Sequence, residues 1–175
     1  AVAREQALRN LEESWKSAIV LGPDIRRNGA SPVLDAVYWS TRQFLRTGEG
    51  RKALLMIGDG MDTGSRIHAK DVCRILQNSG VIFYGLNNGG GPPPSRKSPP
   101  PNRMPELCAA SGGREFETWH TPPAQAFAAI EMELRALYSV GYVSTNPARD
   151  SSFRKIEVKL KRPGLEVRTR PGYYE

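Results

Sequence analysis

The 175-residue chain has no apolar run of the ~18–20 residues that a membrane helix requires. Its longest such runs, Ala53 to Ile57 and Val81 to Leu86, have the length of strands, so nothing in the sequence crosses a bilayer as a helix. Cysteine is equally scarce. Cys73 and Cys108 are too few for a disulfide scaffold, and their spacing is not that of a zinc site. A single bridge between them and a pair of buried free thiols both fit, the second better. The chain starts at Ala1 without a basic stretch or an apolar core, so no signal peptide is expected within it, which leaves a processed, trimmed or partial parent open. Motifs of catalysis and nucleotide binding are missing as well. There is no GxGxxG, GxxxxGK[ST] or HExxH, and no serine occupies a GxSxG elbow. His68 and His120 stand far apart, and no carboxylate pair is marked out for acid–base work. Enzyme activity therefore has no support in the sequence.

What is present is an ordinary globular composition, 39% hydrophobic and 25% charged, with 25 Lys plus Arg against 18 Asp plus Glu and a net charge of +7. That length suits one domain, or one domain with a small appendage. Leu8, Leu11, Trp15, Ala18 and Ile19 form the stripe of an amphipathic helix that ends at Gly22-Pro23. A polar connector follows, then Ser31-Pro32, a cap and first-turn pair. These open a second helix with Val33, Leu34, Val37, Tyr38, Thr41, Phe44 and Leu45 on one face. The aromatics at helical spacing, Trp15, Phe44 and Phe127, are expected in the core.

Lys52 to Gly58 is continuously apolar between charges and glycine, the pattern of a strand buried on both faces of a parallel sheet. A helix with Ala69, Val72, Cys73 and Leu76 on one side stops at Asn78-Ser79-Gly80, and Val81 to Leu86 is a second buried strand. Strand, helix, strand at these lengths predicts a right-handed βαβ unit. Asn87 to Asn102, with two Pro triplets, forms no regular element. A short helix at Met104 to Ser111, an edge strand at Arg114 to Glu117 and a helix from about Pro123 follow, the last aligning Phe127, Ile130, Leu134 and Leu137. Beyond it the period becomes two. Tyr138, Val140 and Tyr142 alternate, as do Ile156, Val158 and Leu160, and Leu165, Val167 and Thr169, with Pro163-Gly164 as a turn. This predicts an antiparallel β meander with one wet face. The expected class is thus α/β, residues 1–137 forming an α/β unit and 138–175 a β extension packed on it.

The best site candidate is the loop Asp59-Gly-Met-Asp62-Thr-Gly-Ser65 after the first buried strand. Ligands of open α/β sheets sit beyond the carboxyl ends of strands, and a carboxylate there offers the hard oxygen that Mg²⁺ or Ca²⁺ prefers. The alternative is that Asp59 and Asp62 cap the turn and the next helix.

The stretch Arg51 to Arg66 resembles the strand and loop of a von Willebrand factor type A domain, an apolar strand followed by Thr-Asp-Gly-x-Asp. Asn28-Gly-Ala-Ser-Pro-Val-Leu-Asp-Ala36 is similar to the family's Gly-Gly-Thr-x-Leu-x-x-Ala segment, and Leu107 to Phe116 to its late helix and Gly-Gly turn. Glu133 to Tyr142, with Arg170-Pro-Gly-Tyr-Tyr174, resembles the C-terminal extension of a bacterial subfamily. The resemblance implies a Rossmann-like sheet flanked by helices, a non-enzymatic role in protein binding, and an extracytoplasmic location.

It also implies a metal-ion-dependent adhesion site. Ser31 falls at the family's Thr position and Asp59 at its third-loop Asp, the two residues here that would hold Mg²⁺, Mn²⁺ or Ca²⁺. Asp62 is a candidate for a supporting or capping role only. The family's Asp-x-Ser-x-Ser element does not occur, and Gly58 stands where the family usually has Thr. One carboxylate and one hydroxyl fall short of the roughly six oxygens Mg²⁺ takes, so weak or absent binding is expected. The strand that would carry the missing element neighbours Lys52 to Gly58 in the family fold, and without it an apolar edge would stand open. The expectation is the C-terminal portion of a longer chain, with a degenerate domain as the alternative.

The basic charge collects late. Eight Lys or Arg against four acids lie between Arg149 and Glu175, near Tyr142, Phe153, Tyr173 and Tyr174. A nucleic-acid or anionic-surface module is the alternative function this suggests. Alternation of the charges with apolar residues favours a plain solvated face with the apolar side turned inward.

Overall fold

The computed structural model describes residues 31–46, 52–89, 100–144 and 150–175. The helix expected over Leu8 to Ile19, its Trp15, the side chain of Phe44 and most of the Pro-rich loop lie outside the described residues. The elements run α1 (Val33–Arg46), β1 (Lys52–Gly58), α2 (Ala69–Ser79), β2 (Val81–Asn87), α3 (Met104–Ser111), β3 (Glu115–Glu117), α4 (Pro123–Arg135), β4 (Phe153–Lys155) and β5 (Gly172–Tyr174). The chain is a mixed α/β protein.

Strands β1, β2 and β3 form a parallel sheet in that spatial order, with Lys52 opposite Val81 at one end and Gly58 opposite Asn87 at the other. Strand β2 is central, and its alternation divides the core. Val81 and Phe83 point into a cluster with Leu34 and Val37 of α1, Val72 and Leu76 of α2, and Met104, Leu107 and Cys108 of α3. Tyr84 and Leu86 point the other way, onto Phe116 of β3 and Ala126 and Ile130 of α4. Three helices thus cover one face and α4 the other, as apolar faces on both sides of a parallel sheet demand.

Strand β1 departs from the expectation of burial on both faces. It has one sheet neighbour among the described residues, is half-buried along most of its length, and exposes Ile57. Leu54 and Met56 lean on the first cluster, Ala53 and Leu55 on the second. The hydrophobic run is explained by packing on two sides, while its outer edge has no strand neighbour among the described residues. Phe127 is a second correction: it lies on the exposed side of α4, because Ala126 and Ile130 take the buried stripe. The cysteines are free, Cys108 buried and Cys73 half-buried.

The tail forms less sheet than its alternation predicts. Residues 138–144 and 156–170 carry no strand, and the antiparallel ladder is limited to Phe153 opposite Tyr174, Arg154 opposite Tyr173 and Lys155 opposite Gly172. The register is nevertheless that of the expected hairpin. The Ile156 N–H donates to Pro171 O at 2.8 Å, and continuing the pairing brings Arg162 opposite Leu165 across Pro163-Gly164. Gly164 has φ +80°, which after proline is a type II turn. Type I and II turns splay hairpin strands that the primed types would keep together, and the ladder lapses where the turn's influence is greatest.

Residues 157–169 are exposed on both sides, so the apolar side is not packed on the body as expected. Arg168 reaches Glu133 of α4 at 3.0 Å and Arg170 donates to Gln77 O of α2 at 2.5 Å, so part of the charged side faces the body. The apolar residues Val158, Leu160, Leu165 and Val167 are exposed by 48, 45, 61 and 37%, and the charged side chains of Glu157, Lys159 and Glu166 are exposed as well. Tail and body are joined further by Asn78 at the end of α2, which donates to Tyr174 O and accepts the Tyr174 N–H.

Candidate functional site

Where β1 ends at Gly58, the chain turns immediately. Asp59 Oδ1 accepts the Met61 N–H at 3.0 Å, closing an Asx turn. Gly60 adopts φ +69°, and a Cβ there would lie 2.0 Å from Asn102 Oδ1, so only glycine lets the two segments meet. Gly60 O accepts the Arg103 N–H, and Met61 forms a bridge with Asn102.

The rest of the loop turns toward the start of α1. The first N–H groups of a helix have no intrahelical acceptor, and here the loop supplies two. Asp62 Oδ1 accepts the Leu34 N–H at 3.2 Å, and Ser65 Oγ accepts the Asp35 N–H at 3.1 Å. The Ser65 hydroxyl donates in turn to Asp62. In return Asp35 Oδ1 accepts the Arg66 and Ile67 N–H groups. Ser31 and Thr63 close a further ring: the Ser31 N–H donates to Thr63 Oγ1 at 2.7 Å, and the Thr63 N–H to Ser31 O at 3.0 Å.

Of the residues singled out in the sequence, Ser31 and Asp59 both lie on this assembly and both are exposed. They are brought onto one stitched surface without touching: Ser31 bonds to Thr63 and Asp59 to Met61. Asp62 does cap a helix, but α1 rather than α2, whose N-cap His68 makes no side-chain cap bond. No group of three or more His, Cys, Asp or Glu side chains converges among the described residues.

A second polar assembly, with no motif to announce it, lies at the same end of the sheet. Asn87 at the end of β2 and Asn102 both donate through Nδ2 to Glu115 Oε1, each at 2.8 Å. Asn87 Oδ1 accepts the Gly89 N–H, and Asn102 Oδ1 the Met104 N–H. Glu115 thus clamps the chain on both sides of the Pro-rich segment. The signals in the sequence were asparagines at each end of that segment, Asn87 and Asn102, and an acid on the neighbouring strand.

Burial pushes the Cys73 thiol up from 9.0 to about 11 and the Cys108 thiol to about 12, so both stay protonated at neutral pH. His120 is exposed, with Nε2 3.6 Å from Glu117 Oε2. A cleft of about 490 Å³ runs beside β3 and α4, lined by Arg114, Glu115, Glu117, His120 and Gln125 among others, but neither Ser31 nor Asp59 borders it. No helix among the described residues is long and apolar enough to cross a membrane. No family model matches the chain, and no curated protein is found similar to it.

Proposed function

We propose that this chain is a non-enzymatic protein-recognition domain of von Willebrand factor A type, binding through the loops at the carboxyl edge of its parallel sheet. The observation that supports this reading is the stitching of the Asp59–Ser65 loop to Ser31 and the start of α1. It joins the backbones that carry two exposed polar side chains from separate segments into one surface, which is what recognition by loops on a scaffold needs.

Ser31 and Asp59 would offer a cation two of the roughly six oxygens Mg²⁺ takes. A resident ion therefore does not fit the described residues by themselves. Recognition in this reading rests on the loop surface, with a partner's own polar groups meeting Asp59 and the Ser31 hydroxyl.

The test is capture of partners from an extract of the source cells on immobilised chain, comparing wild type with Asp59→Ala and Ser31→Ala, with and without EDTA. Partners lost on the Asp59→Ala resin are the expected result, and EDTA sensitivity would add the cation. A captured set indifferent to both substitutions overturns the assignment of this surface.

A further inference from the structure

We propose that the tail hairpin is a peripheral attachment device for an anionic lipid surface, its tip entering the interface apolar side first. Opposed residues of an antiparallel pair share a side, so continuing the register of Phe153–Tyr174 and Ile156–Pro171 into the unpaired arms would put Val158, Leu160, Leu165 and Val167 on one side. All four are exposed. Tyr142 extends the patch by contacting Tyr173, which shares that side of the hairpin, with ring centroids 6.4 Å apart. It brings with it Tyr138, Val140 and Val143, exposed by more than four-fifths. So many exposed apolar side chains in the described part of the tail call for a partner.

The charges identify it. Seven Lys or Arg stand against two Glu between residues 153 and 170, and at the tip Lys161 and Arg162 have no ion-pair partner among the described residues. A second copy of the chain docking face to face would gather the cations of both copies at one interface and double the charge to be neutralised there. A nucleic acid would use the cations and leave the aliphatic side chains in water. A bilayer rich in acidic lipids uses both, together with tyrosines of the kind that settle at the headgroup level. The type II turn and the irregular strands beside it leave the tip free to adapt its side chains to such a surface.

The test is co-flotation of the full chain with vesicles of phosphatidylcholine alone and of phosphatidylcholine with 30% phosphatidylglycerol, at low and physiological salt. Two variants accompany it, Leu160→Ser/Leu165→Ser and Lys161→Ala/Arg162→Ala. All four side chains are exposed, and thermal unfolding by circular dichroism checks that the fold is kept. Binding is expected to the acidic vesicles only, weakening with salt. Each cation at an acidic surface contributes roughly fivefold, so the second variant should lose about 25-fold, and the first at least about tenfold. Equal or absent binding to both vesicles overturns the proposal. So does a loss confined to the cation variant and matched on a DNA oligonucleotide, which makes phosphate the ligand. A lipid-free dimer dissolved by Leu160→Ser/Leu165→Ser overturns it in favour of self-association.

Discussion

One oxygen of Asp62 takes the Leu34 N–H and the Ser65 hydroxyl together, so a side chain on a loop does the work a helix ordinarily assigns to its own N-cap. Removing such a cap costs about 1 kcal/mol. Asp62→Ala is accordingly expected to lower unfolding free energy by about that amount in urea titration, whereas Asp62→Asn, which keeps an acceptor, should lose less than half of it. The thiols and Tyr84 make a different prediction. Burial holds Cys73 near 11 and Cys108 near 12, and burial with the neighbouring Glu133 raises Tyr84 to about 12. Each folded group keeps a proton that the unfolded chain gives up at lower pH, so stability falls as pH rises wherever the unfolded state binds fewer protons. Their contribution is complete below about pH 9 and is lost through pH 11–12. Urea midpoints measured from pH 7 to 11 should hold level to about pH 8.5 and then decline, and Cys108→Ser should soften the decline.

At the scale of elements, helices and buried strands were legible because each carried its own period. The α3 boundaries, Met104 to Ser111, and the end of α2 before Gly80 follow the expectation closely, since a glycine in left-handed conformation stops both helices. Strand β1 was legible as a strand from its continuous apolarity, but that apolarity records how much of a segment is packed and not which side lacks a neighbour, and its open edge was expected only through the family resemblance. The tail misled for a related reason. Alternation over 156–170 predicts strands that do not form, and both sides of the segment are exposed, while the tail is tied to the body by Arg168 and Arg170 finding acceptors on α4 and α2. In the site, the Asp59 loop was visible as a motif, whereas the Glu115 clamp depends on amides 28 and 13 residues away and has no local signature. The junction between the two is Gly60. Gly60→Ala must strain a backbone at φ +69° and displace Asn102, at a cost of at least about 1–2 kcal/mol. The expected readout is a lower urea midpoint together with a shifted Asn102 side-chain amide resonance; an unmoved Asn102 resonance would show that the two loops are not in contact.

For the molecule as a whole, an α/β body carries two surfaces at separate places: a stitched polar loop surface beyond the carboxyl ends of the strands, and an apolar, cation-rimmed hairpin held near the ends of α2 and α4. The proposed roles therefore separate under mutation. Asp59→Ala should leave vesicle binding unchanged, and Leu160→Ser/Leu165→Ser should leave partner capture unchanged.

The two Asn78–Tyr174 hydrogen bonds span 96 residues of chain, against 28 for Asp62 and Leu34. Closing the longer loop costs roughly 1 kcal/mol more in chain entropy, with few buried contacts to offset it early. The body should cross its folding barrier with the tail still undocked. Asn78→Ala would then leave the refolding rate of a stopped-flow chevron in place and raise only the unfolding rate. The tail clasp, in this view, sets how long the native molecule lasts and has no say in how fast it forms.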